Sequence, residues 1–552
     1  MDNGKFRVAS GNEFYGLEGL KFPDMYQKED GTYRTVFGPV FYHPGLIYES
    51  SDLSLSQAAK RQTGSREPDV PGFHEWLCDN QFNFVNHNET LRSLVGELKE
   101  LVTARSLELA DYGELTKSYV EEPHVKRLER ILAYESSLEE LGCDHATFVT
   151  FLEGKVKKDE VAKYNKYARL FVSLGPTSIL TGGFLIRYIK DAFVVFKPHS
   201  CRFVPGPRVD HLTALFEEMM DPVEDVFMGY FSDDSCIAIR CVDGVFRAEV
   251  DFSSCDGSHM EVMFDLLVSL AADDWRLKSR LLALKKQCTH TMTLRSRCDL
   301  KELVVKLKLL APVLYSGSTL TTILNNLANV VLYSSIRSFV DEHPLNVSDC
   351  RRLVMEAANN CGYIVTCDPV ENMEELTFLK YFPAVTPLGI VPCMALGVPL
   401  RTIGTCRGDL PGRKSESYWD RVDQWNAMLI AAYIDAGQTS IMIKLRELYS
   451  DIGSIKGQTE GMMRARLAKI LPFHEITKTC SFIPDEHLAL RYKCSVEDVA
   501  ETVDMICKSP RVHIRSFFTD LVFAKDYSLV DHQLVGMDGG LYHNSSGVSK
   551  YM

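Results

Sequence analysis

The sequence predicts an α+β protein, with a small antiparallel sheet in its middle third and helices before and after it. Three observations point there. Runs rich in β-branched and aromatic residues, DVFMGYF (225–231), CIAIRC (236–241) and VFRAEVDF (245–252), follow one another with turn residues between them. Stretches with apolar residues at three-and-four spacing flank them on both sides. No Pro/Gly/Ser-rich linker, low-complexity tract or internal repeat divides the chain, so lobes packed against one another are expected.

Taken in order, residues 1–90 mix turn formers with aromatics (FGPVFYHPGLIY, DVPGFHEWL). Residues 91–155 read as helices, carried by ETLRSLVGELKELV and EPHVKRLERILAYESSLEELG. KYNKYARLFVSLGP (163–176) interleaves Lys and Arg with aromatics and runs into a strand. After the three central strands, 261–286 reads as helix, as do LTTILNNLANVVLYSSI (320–336) and DCRRLVMEAANNCG (349–362). YIVTC (363–367) and LTFLKYF (376–382) read as short strands. Beyond 400 the pattern is mostly helical, apart from the basic, turn-rich TCRGDLPGRKSES, and the tail from 536 is rich in Gly, Ser and His and expected to be extended.

The 552 residues are 45% apolar and 24% charged, enough for several cores or one multi-lobed enzyme. A formal net charge of −13 argues against indiscriminate coating of nucleic acid and leaves room for a local basic channel. The 16 cysteines form no CxxC pair and no zinc-type spacing. With no basic-then-apolar leader and no long apolar run, a reduced, cytosolic, soluble protein without a membrane span is expected.

The most specific pattern is YSGSTLTTILNN (315–326), which has the spacing SGxxxTxxxN through Ser316, Gly317, Thr321 and Asn325. Chance would produce it in roughly one chain in a hundred of this length. Ser316-Gly317 reads as a flexible, capping entry to a helix, on which Thr321 and Asn325, four apart, share a face. A capped surface helix with a polar stripe is the plain alternative. EVDFSSCDGS (249–258) ends a strand at Asp251 and carries Asp256 five positions on, a pattern that chance supplies roughly once or twice in such a chain. GYFSDDSCIAIR (229–240) sets Asp233 and Asp234 at the tip of a hairpin. Adjacent like charges are costly unless a cation sits on them. If the hairpin neighbours the strand ending in Asp251, the carboxylates converge. An all-oxygen set of this kind suits Mg²⁺ and substrate phosphates, and two ions about 3.5–4 Å apart would offset the charge.

Together these stretches resemble the palm motifs A (Asp251-x4-Asp256), B (SGxxxTxxxN) and C (Ser232-Asp233-Asp234) of viral RNA-dependent RNA polymerases. CGYIVTCDPVENMEELTFLKYF (361–382) resembles the following motifs D and E, with Phe378-Leu379-Lys380 as an FLK-type strand, and KYNKYARLFVSLGP resembles the basic motif F. The order is C–A–B, similar to the permuted polymerases of permutotetraviruses and birnaviruses. Ser232 stands where glycine is commoner, and both aspartates are present where birnaviruses have asparagine at the second, which is nearer the permutotetravirus pattern. No lysine lies between Asp368 and Glu375, so the motif D general acid is unassigned. QTGSREP (62–68) is a weak candidate for motif G. The motifs cover 160–385.

The resemblance implies a right-hand polymerase with an antiparallel palm sheet flanked by helices. Its parts would be an N-terminal extension and fingertips (1–90), fingers (91–220), palm (221–260 and 311–385), a fingers insertion (261–310), a thumb (386–535) and a C-terminal tail (536–552). It implies template-directed RNA synthesis from NTPs for a viral genome in the host cytoplasm, with two Mg²⁺ or Mn²⁺ ions held by Asp251, Asp233 and Asp234. Asp256 and Asn325, helped by Thr321, Ser316 and Gly317, would read the ribose 2′-hydroxyl, and Arg169, Lys163 and Lys166 would take the triphosphate. Partners would be RNA template and product, NTPs, and for initiation a protein primer, a self-linked nucleotide or neither. A template-independent terminal nucleotidyltransferase, a two-metal nuclease and a non-catalytic RNA-binding scaffold are the alternatives.

Overall fold

The structure, a computed structural model, describes residues 52–63, 72–108, 152–157, 167–174, 188–196, 200–298, 301–341, 345–402, 439–449, 482–508 and 514–527, with isolated short pieces at 6–8, 20–21, 27–29, 32–34, 41, 47–48, 182 and 198. Its strands are β1 (Phe6–Val8), β2 (Leu20–Lys21), β3 (Gln27–Glu29), β4 (Thr32–Arg34), β5 (Ile47–Tyr48), β6 (Leu152–Val156), β7 (Leu170–Leu174), β8 (Cys201–Phe203), β9 (Val226–Phe231), β10 (Asp234–Cys241), β11 (Gly244–Phe252), β12 (Met292–Cys298), β13 (Lys301–Leu309), β14 (Val365–Pro369), β15 (Tyr381–Thr386) and β16 (Gly389–Met394). The helices used below are α1 (Asp52–Thr63), α2 (Phe73–His87), α3 (Glu89–Glu108), α4 (Val209–Met220), α5 (Glu261–Ser269), α6 (Trp275–Gln287), α7 (Thr321–Val340), α8 (Val347–Asn360), α9 (Ser440–Tyr449), α10 (Asp485–Tyr492), α11 (Val496–Lys508) and α12 (Phe517–Tyr527).

The central sheet has the order β14-β11-β10-β9-β8. Strands β9, β10 and β11 form an antiparallel meander, β14 adds to it antiparallel, and β8 joins β9 in parallel. Side chains alternate across the pleat. Ile237, Ile239, Phe246, Ala248, Val250 and Phe252 therefore face one core, packed on α3, α5, α7 and α8. Phe227, Cys236 and Ala238 face the other, packed on α4, the β15–β16 hairpin and the C-terminal helices. Burial on both faces is why these strands read as apolar runs in the sequence. Gly229 is the exception that allows α4 to approach: a Cβ there would lie 2.1 Å from Leu215 Cδ1. Each large side chain buried in these layers contributes roughly 1.5–3 kcal/mol, which outweighs the repulsion of the acidic groups gathered at one end of the sheet.

A second sheet, β1-β13-β12-β6-β7, packs on α1 through Leu152, Leu170, Val172, Met292, Leu294 and Leu307. The sequence reading did not foresee the β12–β13 hairpin within 261–310. Its alternating polar and apolar residues cover one face only, a weaker signal than the buried central strands. The helix expected over 261–286 is two helices, α5 and α6. The chain turns at Ala272, whose φ is 45°, and Asp274 Oδ1 then accepts from the Leu277 N–H at 3.1 Å and starts α6. Helices α1 and α2 lie in the stretch read as mixed. Beyond 402 all the described elements are helices, as expected. Residues 109–151, which include the helix expected at EPHVKRLERILAYESSLEELG, most of QTGSREP, and the tail from 536 lie outside the described residues. No described helix is long and apolar enough to cross a membrane.

Candidate active site

Residues Ser232 and Asp233 form the two-residue turn between β9 and β10, with Phe231 opposite Asp234. Ser232 has a φ of 56°, which explains why glycine suits this position. Three asparagines of α7 hold the strained peptide. Asn326 Oδ1 accepts from the Ser232 N–H at 2.7 Å, Asn329 Nδ2 donates to the Ser232 carbonyl at 2.6 Å, and Asn325 Nδ2 reaches the Ser232 hydroxyl at 3.4 Å. Helix α7 is buried almost all round, so these amides need partners, and the turn supplies one to each. Asn326 and Asn329 were missed in the sequence. Their signal was present, as three asparagines within five positions of an apolar helix.

The β10–β11 register sets Asp234 directly opposite Asp251, on the same face of the sheet, with Cys236 opposite Glu249 behind them. Asp233, Asp234 and Asp251 are all solvent-accessible. Asp234 is nevertheless flanked by protein and by other acidic groups. Burial, then the charge of Asp233, then those of Asp251 and Glu249, push its carboxyl up to about 6, while Lys380 pulls the other way. Glu249 is also raised, chiefly by burial.

Asp256 follows a left-handed residue, Ser254 (φ 53°), in a single helical turn, Cys255–Ser258. It accepts from Ser316 Oγ at 2.6 Å and from Asn325 Nδ2 at 3.1 Å. The two residues that the motif spacing pairs do meet. Burial raises the Asp256 carboxyl and the two hydrogen bonds oppose it, with Asp233 adding to the rise. His259 Nε2 lies 2.8 Å from Asn325 Oδ1, and its Nδ1 lies 3.0 Å from the Tyr363 hydroxyl.

Ser316 caps no helix, contrary to the sequence expectation. Helix α7 begins five residues later, and Ser316-Gly317 forms a turn tied to β7, where the Val172 N–H donates to the Ser316 carbonyl at 2.9 Å. Gly317 is required here. Its φ is 99°, and a Cβ would lie 2.6 Å from the Val172 carbonyl oxygen. The Thr321 hydroxyl donates to the Tyr315 and Ser318 carbonyls, at 3.1 and 2.9 Å, so it closes the helix start and leaves Ser316 as the hydroxyl on Asp256. The β7 contact also brings the end of the basic segment alongside: Arg169, exposed, lies three residues before Val172. Lys163 and Lys166 lie outside the described residues.

Phe378-Leu379-Lys380 is a turn rather than a strand. Phe378 and Tyr381 pair across it, and Leu379 and Lys380 have φ of 49° and 69°. Two consecutive left-handed residues reverse the chain, and the strand starts only at Tyr381. Arg491, fully buried, holds this turn: it donates to Thr377 Oγ1 at 3.0 Å and to Asp526 at 2.8 Å.

Among the described residues no group of three or more His, Cys, Asp or Glu side chains is placed to hold a metal ion. The three aspartates offer oxygen alone and repel one another. Oxygen donors of this type suit a hard divalent ion, but as placed the three carboxylates do not form a set that would hold one.

No family model matches the chain, and no curated protein does. Among solved structures it is similar to the RNA polymerase VP1 from Infectious Pancreatic Necrosis Virus, with a TM-score of 0.40 and 10% identity over 78% of this chain and 70% of that one. A similarity of this size leaves the activity to be argued from the site.

Proposed function

We propose that the chain is an RNA-directed RNA polymerase that transfers nucleotides at Asp251, Asp233 and Asp234. The observation that supports the reading is the nearness of two groups: Asp234, opposite Asp251 in the sheet and within electrostatic reach of Asp233, and the hydrogen-bonded set Asp256, Asn325 and Ser316, whose Asp256 also feels Asp233. The first group offers oxygen donors to phosphate-bound cations, and the second can recognise a ribose. A nuclease has no incoming sugar to select, so it has no use for the second group.

In this reading Asp251, Asp233 and Asp234 hold two Mg²⁺ or Mn²⁺ ions, which when bound stabilise charge on the triphosphate and make the primer 3′-hydroxyl more acidic. Asp256 accepts from the ribose 2′-hydroxyl while Asn325 donates to it, a pairing that a deoxyribose cannot satisfy. Arg169, with Lys163 and Lys166, offers charge to the triphosphate, and the arginine fork suits two phosphate oxygens at once. The central sheet with α7 and α8 then serves as the palm, the second sheet belongs to the fingers, and the helices beyond residue 402 form the thumb. RNA would be gripped mainly through its phosphates, so binding should weaken with salt.

The test is nucleotide incorporation by the purified protein on RNA templates, with and without primer, in Mg²⁺ and in Mn²⁺. Complementary product that vanishes with Asp233→Asn and Asp251→Asn is expected. Product of undiminished yield from those variants would remove the site assignment. Untemplated tails would favour a terminal nucleotidyltransferase, and RNA binding without incorporation in either metal would favour a scaffold.

A further inference from the structure

We propose that His259, held by Tyr363, is the positioning residue that sets discrimination between ribo- and deoxyribonucleotides. This rests on the polymerase reading above. His259 lies just past motif A and Tyr363 inside the stretch that resembles motif D, neither with a role in the motif, yet both are fully buried; Tyr363 meets His259, and His259 meets Asn325.

The hydrogen-bond chemistry fixes a direction along the chain of contacts. Asp256 accepts from Ser316 Oγ and from Asn325 Nδ2, so the Asn325 amide must turn its nitrogen toward Asp256. Its oxygen then faces His259 Nε2 at 2.8 Å, and an amide oxygen can only accept. The proton of the neutral imidazole therefore sits on Nε2. Nδ1 is left as an acceptor, and the Tyr363 hydroxyl donates to it at 3.0 Å. Tyr363 is itself wedged edge-on against Phe252, with ring centroids 5.2 Å apart, and meets the His259 ring edge-on at 5.9 Å. Phe252 is the residue after Asp251 on β11, so one rigid element supports both the carboxylate and the relay.

Without the Nε2 proton the Asn325 oxygen would keep no donor among the described contacts. The amide would then lose one of the two contacts that fix its plane, and its nitrogen could swing away from Asp256. It would thereby misplace the donor that a 2′-hydroxyl needs. Losing one such buried bond changes an equilibrium by about tenfold. The consequence falls on selectivity, because a deoxyribonucleotide never used that donor.

The experiment compares kcat/KM for an NTP and for the matching dNTP in the full chain. His259→Phe keeps the ring volume and removes both nitrogens, and the NTP preference should fall about tenfold, mostly through KM for the NTP. His259→Gln, whose amide can still donate to Asn325, should restore much of it. Tyr363→Phe should lower the preference by a smaller factor, and it reports on the same ratio if His259→Phe fails to fold. In an Asn325→Ala background, His259→Phe should change the ratio no further. An active His259→Phe or Tyr363→Phe protein that discriminates as well as the unmodified one overturns the inference and leaves the polymerase reading standing. An unmodified protein that incorporates neither nucleotide overturns both.

Discussion

Replacing Asp233 with asparagine should make the metal-free protein more stable and deprive it of the stability it gains from Mn²⁺. The Asp234 carboxyl is raised from 3.8 to about 6, with burial as the largest cause and Asp233 the next. A shift of about two units corresponds to roughly 3 kcal/mol between the protonated and ionised forms. Only part of this belongs to Asp233, and Asp234 is exposed to screening solvent, so a gain of about 0.5–1 kcal/mol is expected from removing the neighbouring charge. Asp256 feels Asp233 in the same direction and should relax with it. The sign follows from linkage. A carboxyl whose pKa rises on folding disfavours the folded state when ionised, so the penalty is absent below pH 3.8, grows with pH, and is complete above about pH 6. The stabilisation by Asp233→Asn should appear at pH 7 and disappear by pH 4. Thermal unfolding at both pH values, with and without Mn²⁺, measures it. At a hundredfold excess over Kd, the unmodified protein should gain about 2.7 kcal/mol from the ion, and the variant much less. A variant that is less stable at pH 7 without metal, or that keeps the full Mn²⁺ gain, would refute the view that these carboxylates are held against their own repulsion for a cation.

Three further outcomes follow from the geometry. Gly317→Ala should cost about 2–4 kcal/mol in denaturant unfolding, because a residue at φ 99° acquires a Cβ only 2.6 Å from the Val172 carbonyl; a change within 0.5 kcal/mol would contradict the close approach. Asn329→Ala removes the donor to the Ser232 carbonyl and should destabilise by about 1–3 kcal/mol, while lowering kcat more than it raises KM for NTPs, which steady-state kinetics can separate. Arg491→Ala leaves Asp526 buried without its cation, held only by the Tyr492 hydroxyl and the Gly397 N–H, and should cost about 3–5 kcal/mol in thermal unfolding, whereas Arg491→Met with Asp526→Asn, which keeps an acceptor for both, should recover a large part.

The sequence by itself determined what depends on neighbours along the chain. Runs of β-branched and aromatic residues placed the central strands, three-and-four spacing placed α7, and a four-residue step put Thr321 and Asn325 on the same helix. It also set Asp233 and Asp234 at a hairpin tip, because apolar runs on either side of Ser232 leave only a turn between them. Local composition and the 3.6-residue period are enough for these conclusions. They were misleading where a local pattern had no unique answer. FLK looked like strand but forms a left-handed turn, and Ser316-Gly317 looked like a helix cap but is pinned to β7. Only the tertiary structure decided who meets whom. Ser316 finds Asp256 sixty positions away, Lys380 comes within electrostatic reach of Asp234, and Asn326 and Asn329 clamp the Ser232 peptide from another element. These pairings depend on how α7 docks on the sheet. That docking is set by shape and by the partners that the buried asparagines of α7 find on the turn, which spacing along the chain does not encode.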